Sequence, residues 1–319
     1  MYYPVLRGKQ NELLALRECA DYLKTASILP VIEPVRDLSN NGGSLRRCLV
    51  RLQEAESPIA VVVNPGVGEY AGQPGASEQI MQLVDDIDPE ASNIRLAIAL
   101  GGAGNIAHLT NSLDARPRRS HVYLHDETQP DQDHDLGALA ETSTDATHLA
   151  DERSRVRRMP AFAGATARVA KLTDRFKRAT NNSAYTDCSP YLFTDWNVYY
   201  PEDGYVGYAD YATIGHDYST SGFTPRAVAI HLTYVNRTDG TIWIQHFVSQ
   251  SDRDTMANVA AKFDEAVTKL VRFADDSGLA NPALDQFREL ARLGQFPGLG
   301  VIKRLSIVNH FHVAGTADV

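Results

Sequence analysis

Ile28-Leu-Pro-Val-Ile-Glu-Pro34 and Pro58-Ile-Ala-Val-Val-Val-Asn-Pro65 are one unit met twice, 31 residues apart. Each is a short apolar run closed by a polar residue and a proline, and each follows a helix-like stretch. A continuous β-branched run of this length reads as a strand buried on both faces. The proline stops the ladder because it has no N–H to donate. One polar side chain, Glu33 or Asn64, is left at the C-terminal end of each buried strand. That end is where sites are built in α/β sheets and barrels.

Outward from these two runs, strands are expected to begin near residues 3, 28, 59, 95, 120, 147 and 168. Between them, helical spacing appears at 11–24, 44–55, 77–86 and 104–113. Seven strands at βα-like spacing exceed a five- or six-stranded open sheet, so the expected fold is α/β, a (β/α)8 TIM-barrel-like single domain over 1–319. An elongated doubly wound sheet is the alternative. Eight of the 14 tyrosines fall between 185 and 218, so residues 180–225 are expected to form an excursion over the barrel mouth. Beyond it, Ala227–Val235 and Thr241–Val248 flank Asp239-Gly240, a hairpin signal. Helices are expected at 255–274 and, after the Asn281-Pro282 start signal, at 282–293, with a closing strand at 305–313.

The net charge of −9 argues against nucleic-acid binding through the overall field. With 43% hydrophobic residues the chain has ample material for a core. No apolar run is long enough to cross a bilayer and the N-terminus shows no signal-peptide pattern, so a cytoplasmic location is expected. Cys19, Cys48 and Cys188 form no CxxC pair and suggest neither a disulfide framework nor a zinc site.

Glu33 and Asn64 are the first catalytic candidates, as a general base or metal ligand and a substrate-orienting amide. Arg7-Gly-Lys9 leaves the first strand at the same level and would set Arg7 and Lys9 beside Glu33. Asp174-Arg175-Phe-Lys177 follows the seventh strand, where barrels often bind phosphate, and arginine forks suit that role. Asp210 and Tyr211 end a further strand, with Asp210 as the expected acidic partner of Glu33. A two-residue turn at Asp239-Gly240 would put Thr233 opposite His246 and His231 opposite Val248, with the two imidazoles diagonal on one face. His310 and His312, on an expected last strand, would share a face and complete a site for a divalent metal. His125-Asp126 is a weaker candidate, and Arg153–Arg158 reads as a solvated basic run. Gly101-Gly-Ala-Gly104 is not a dinucleotide fingerprint.

Tyr3-Pro-Val-Leu-Arg-Gly-Lys-Gln-Asn-Glu12 and Pro30-Val-Ile-Glu-Pro34 resemble the opening of the beta-protein family, a largely uncharacterised set of bacterial and phage proteins. A narrower bacterial branch is similar at Leu172–Lys177, Ala227–Tyr234, Gln245–Ser249, Lys262–Ala266 and Phe296–Lys303. The resemblance spans nearly the whole chain and implies no established activity. It implies an association with defence or mobile-element regions. The branch tends to end in adjacent histidines, whereas Phe311 separates His310 from His312 here.

Taken together, these residues raise the expectation of a hydrolase acting on a small phosphate-bearing or nucleotide-like anion. The alternative is a non-catalytic component of a defence or toxin-type system, binding a protein encoded nearby or forming a homo-oligomer through its tyrosines.

Overall fold

The computed structural model describes residues 1–36, 43–102, 104, 106–116, 120–125, 146–152, 168–219, 226–251 and 254–316. The expected single domain is corrected: the chain forms two compact units, one of residues 1–174 and 199–211, the other of residues 175–198 and 212–319. The division follows from strand pairing, because Tyr191–Thr194 joins the C-terminal hairpin and not the barrel.

The first unit is the expected barrel. Eight strands close it: β1 (Tyr2–Leu6), β2 (Val31–Ile32), β3 (Ile59–Val62), β4 (Ile94–Ala99), β5 (Val122–His125), β6 (Thr147–Asp151), β7 (Arg168–Leu172) and β9 (Gly207–Asp210). Every pairing is parallel, and β9 returns to β1 through Tyr2 opposite Tyr208 and Tyr3 opposite Ala209. Helices α1 (Gln10–Glu18), α2 (Ala20–Thr25), α3 (Gly43–Glu54), α4 (Ala76–Ile87) and α5 (Ile106–Asp114) fall between successive strands. All seven expected strands are present, and Ile59–Val62, buried throughout, shows the unbroken apolar signature of a strand covered on both faces.

Two-residue alternation defines the barrel interior. Tyr3, Val5, Val31, Ala60, Val62, Ala97, Ala99, Leu124, Leu149, Leu172, Ala209 and Tyr211 pack together as one buried cluster. One step further along each strand, the same parity assigns Arg7, Glu33, Asn64, Asp151 and Asp174 to the C-terminal end of the interior. Asp126 and Arg153–Arg158 lie outside the described residues.

The tyrosine-rich segment is divided between the two units, with residues 199–211 in the first. It contains the barrel's eighth strand, and Tyr185, Tyr191, Tyr208 and Tyr211 are buried. Cys19 and Cys48 are free and buried, and burial pushes both thiols up to about 12, which suits small apolar residues of the core.

The second unit is built on an antiparallel sheet ordered β10 (Ala229–Val235), β11 (Ile242–Val248), β8 (Tyr191–Thr194). The hairpin is present but its register differs from expectation. Asn236 and Gly240 close a longer loop, with Asn236 N–H bonded to Thr241 O and Gly240 N–H to Asn236 O. His231 therefore lies directly opposite His246, and Thr233 opposite Ile244. Helices α6 (Val259–Asp276), α7 (Pro282–Leu293) and α8 (Leu299–Thr316) complete the unit. Asn281 caps α7, its side chain accepting from Leu284 N–H at 3.0 Å, with Pro282 in the first turn.

The expected closing strand at 305–313 is instead part of α8. Its residues are buried almost all round, so the apolar run carries no one-sided helical stripe and reads equally as a strand. His310 and His312, two apart on a helix, do not share a face.

Candidate functional site at the barrel mouth

The C-terminal end of the barrel gathers Arg7, Glu33 and Tyr211. Glu33 extends β2 by one ladder bond, its N–H reaching Leu6 O at 2.8 Å. Its carboxylate then works on two sides: Oε2 meets the Arg7 guanidinium, and Oε1 accepts Gly66 N–H at 2.8 Å. The Arg7 guanidinium lies 5.6 Å from the centroid of the Tyr211 ring, within range of a cation–π contact. Arg7 and Glu33 are both buried, so this is an ion pair of low dielectric surroundings.

Gly8 makes this approach feasible. It turns the chain at φ +60°, and a Cβ there would sit 3.1 Å from Glu33 O. Glu12, not singled out from sequence, fixes the turn. It is fully buried in the first turn of α1, and its Oε2 accepts Arg7 N–H at 2.8 Å and Lys9 N–H at 3.4 Å. An acid three residues into a helix that follows a strand end is the signal that could have found it.

Asn64 is brought to the same end, but its amide is spent on the neighbouring strand. Nδ2 donates to Ala99 O at 2.8 Å and Oδ1 accepts Ala99 N–H at 2.9 Å. It thus prolongs the β3–β4 ladder with a side chain. Lys9 is half-buried at the start of α1, and Asp174 is exposed at the end of β7.

Asp210 is not the partner of Glu33. On β9, Ala209 and Tyr211 face inward, so Asp210 faces outward with Tyr2 and accepts the Tyr2 hydroxyl at 2.6 Å. Burial, then the nearby Asp210 charge, raises the Tyr2 phenol well above its ordinary range. Arg175 and Lys177 belong to the second unit, where Lys177 Nζ lies 4.3 Å from the Tyr191 ring centroid.

The four-histidine metal site does not assemble as expected. His231 and His246 meet, Nδ1 to Nδ1, at 2.9 Å, among Phe176, Tyr185 and Tyr191. His310 instead bonds Thr233 Oγ1 at 3.0 Å, beside Asn309, which holds Thr233 O. Among the described residues no three His, Cys, Asp or Glu side chains form a metal-binding group.

A second imidazole pair lies on the outward face of the barrel. His125 Nε2 and His148 Nδ1 are 2.9 Å apart, and Tyr123 stacks on His148. Burial pushes His148 down to about 4 and His125, with His148 beside it, well below its ordinary range. A base whose folded pKa is depressed leaves the unfolded chain holding more protons, so stability is full above pH 6.5 and falls as pH drops toward 4. His148 by itself is expected to account for a loss of roughly 3 kcal/mol over that window. Urea midpoints measured between pH 7 and pH 4 should show it, and His125→Leu/His148→Leu should flatten the slope; an unchanged slope would refute the assignment.

No family model matches the chain, and no curated protein matches it in sequence. Among solved structures it is similar to a putative dihydrodipicolinate synthase family protein from Coccidioides immitis, at 12% identity over 98% of this chain and 83% of that one, TM-score 0.40. It is also similar to a monomeric dihydrodipicolinate synthase variant, at 8% identity over 91% and 77%, TM-score 0.41. N-acetylneuraminate lyase from Mycoplasma synoviae matches at 8% identity over 66% and 68%, TM-score 0.38. The likeness is one of fold.

The placement of the candidate residues corrects the expected hydrolysis of a phosphate-bearing substrate. Within the chain, Asp210 faces away from Glu33, and Arg175 and Lys177 belong to the other unit. Among the described residues no helix is long and apolar enough to cross a membrane.

Proposed function

We propose that the barrel unit is an acid–base enzyme that abstracts a proton next to a carbonyl in a small carboxylate-bearing substrate. The observation that carries this reading is the buried Arg7–Glu33 pair at the C-terminal end of the barrel, under the Tyr211 ring. A substrate carboxylate or carbonyl oxygen competes with Glu33 for Arg7, because both are oxygen acceptors for one guanidinium fork. Once displaced, Glu33 keeps its bond to Gly66 N–H and stays oriented. Its freed oxygen takes the proton from carbon, the C–H electron pair forms the C=C bond, and the carbonyl π pair moves to oxygen, giving an enolate held by Arg7. This step is common to lyase and isomerase chemistry.

The lysines of the unit favour this route over imine formation. Lys24 is exposed on α2, Lys171 alternates with the inward-facing Ala170 and Leu172, and Lys9 sits at the start of α1. None occupies an inward strand position from which it would attack a carbonyl inside the barrel. Membership of the beta-protein family is part of the same proposal. Its supporting motifs, Tyr3–Glu12 and Pro30–Pro34, are those that supply Arg7, Glu12 and Glu33.

The test needs no knowledge of the full reaction. Incubated in D2O with a panel of 2-oxo acids, the protein should exchange the protons on the carbon next to the carbonyl, followed by proton NMR. Glu33→Gln is expected to slow exchange at least about 100-fold, the scale of general-base catalysis. Exchange that proceeds equally with Glu33→Gln would remove Glu33 from the role.

A further inference from the structure

Beside the mouth lies a cavity of about 390 Å³, between the loop that follows β3 and helix α5. Asn64, Tyr70, Ser77, Met81, His108 and Ser112 are among the residues that line it. Its size is that of a small-molecule pocket. Asn64 and Pro65 form part of its wall, and the next residue, Gly66, holds Glu33 Oε1. Cavity and mouth therefore share a strand end.

We propose that this cavity receives a neutral, hydroxylated extension of the substrate whose carboxylate end binds Arg7; the inference rests on the function proposed above. Charge decides against an anionic occupant. Among the described residues no lysine or arginine lines the cavity, while Glu78 does. The Arg116 guanidinium, which meets the lining residue Glu78 at 3.2 Å, is also held by Asp85 at 3.0 Å. What the walls offer instead is neutral hydrogen bonding from the Gln73 amide, the Ser77 and Ser112 hydroxyls and the His108 imidazole. Tyr70, Met81 and Leu109 supply an apolar floor. A polyhydroxylated chain, with C–H groups on one side and hydroxyls on the other, matches that division.

The probes are pyruvate, as the short acid, and 2-ketogluconate, as the same head with a hydroxylated tail. Binding to the full chain is followed by calorimetry and carbon-bound proton exchange in D2O. The longer acid is expected to bind at least about tenfold more tightly. Ser112→Trp, which fills the cavity from the half-buried face of α5, should erase that difference. Ser77→Phe fills it from α4 and serves if the first variant does not fold. Equal affinities for the two acids, or a preference that survives filling, would overturn the cavity assignment alone. Absence of exchange and binding with every acid would overturn the proton-transfer reading and this inference with it.

Discussion

Glu33→Ala is expected to lower the unfolding free energy of the barrel unit by about 3–5 kcal/mol, because it removes one partner of a buried ion pair. Arg7 is confined by its neighbours: the Tyr211 ring is stacked near it, and Glu12 ties down its backbone N–H. The carboxylate also closes the loop after β3 through Gly66, so its loss removes a charge-assisted bond there. Arg7→Met combined with Glu33→Leu removes both charges and should recover most of that stability while eliminating binding of carboxylates. Chemical unfolding of the three proteins decides the point. A single variant as stable as the parent would mean that the pair is well solvated and the mouth wider than its burial indicates.

Gly207→Ala carries the second large effect. Gly207 faces inward on β9, the strand that closes the barrel against β1, and an added Cβ would collide with Met1 O and lie 2.8 Å from the Tyr3 ring. Tyr3 is fully buried and has nowhere to retreat, and the Met1 carbonyl is itself a ladder acceptor for Tyr208 N–H. The methyl group must therefore push two closing strands apart. A loss of about 3 kcal/mol or more is expected, at the upper end of overpacking. Ala209→Gly, two residues on and also inward, should cost only about 1 kcal/mol by weakening the strand without a clash. If both variants lose the same amount, closure at β1–β9 is more pliable than the packing of Tyr3 implies.

The barrel was legible in the sequence because parallel strands buried on both faces leave runs such as Ile59–Val62 that no surface element imitates. Glu33 was legible for a related reason: a proline immediately follows a polar residue at the strand end. Asp210 is attractive as a second carboxylate, but strand parity opposes it. Counting by twos from Gly207 puts Tyr211 inside and Asp210 outside. The hairpin was recognisable, yet its register depended on whether two or more residues make the turn, and Asp-Gly occurs in both kinds. His310 and His312 were lost to a helix buried almost all round, where neither period shows. Glu12 was missed because a buried acid in a first helical turn looks like an ordinary solvated one until its acceptor bonds are seen.

The placement of β9 after a strand of another sheet has a consequence for how the chain is made. β1 leaves the ribosome first and β7 follows, yet neither has its second neighbour until Gly207–Asp210 emerges. At ordinary synthesis rates the interval from the end of β7 to β9 lasts roughly 2–7 s. Throughout it, the nascent sheet presents two unpaired apolar edges, the arrangement that invites pairing with other chains. Slower translation across residues 175–206 should therefore lower the yield of native protein, whereas the same slowing placed after residue 211 should not.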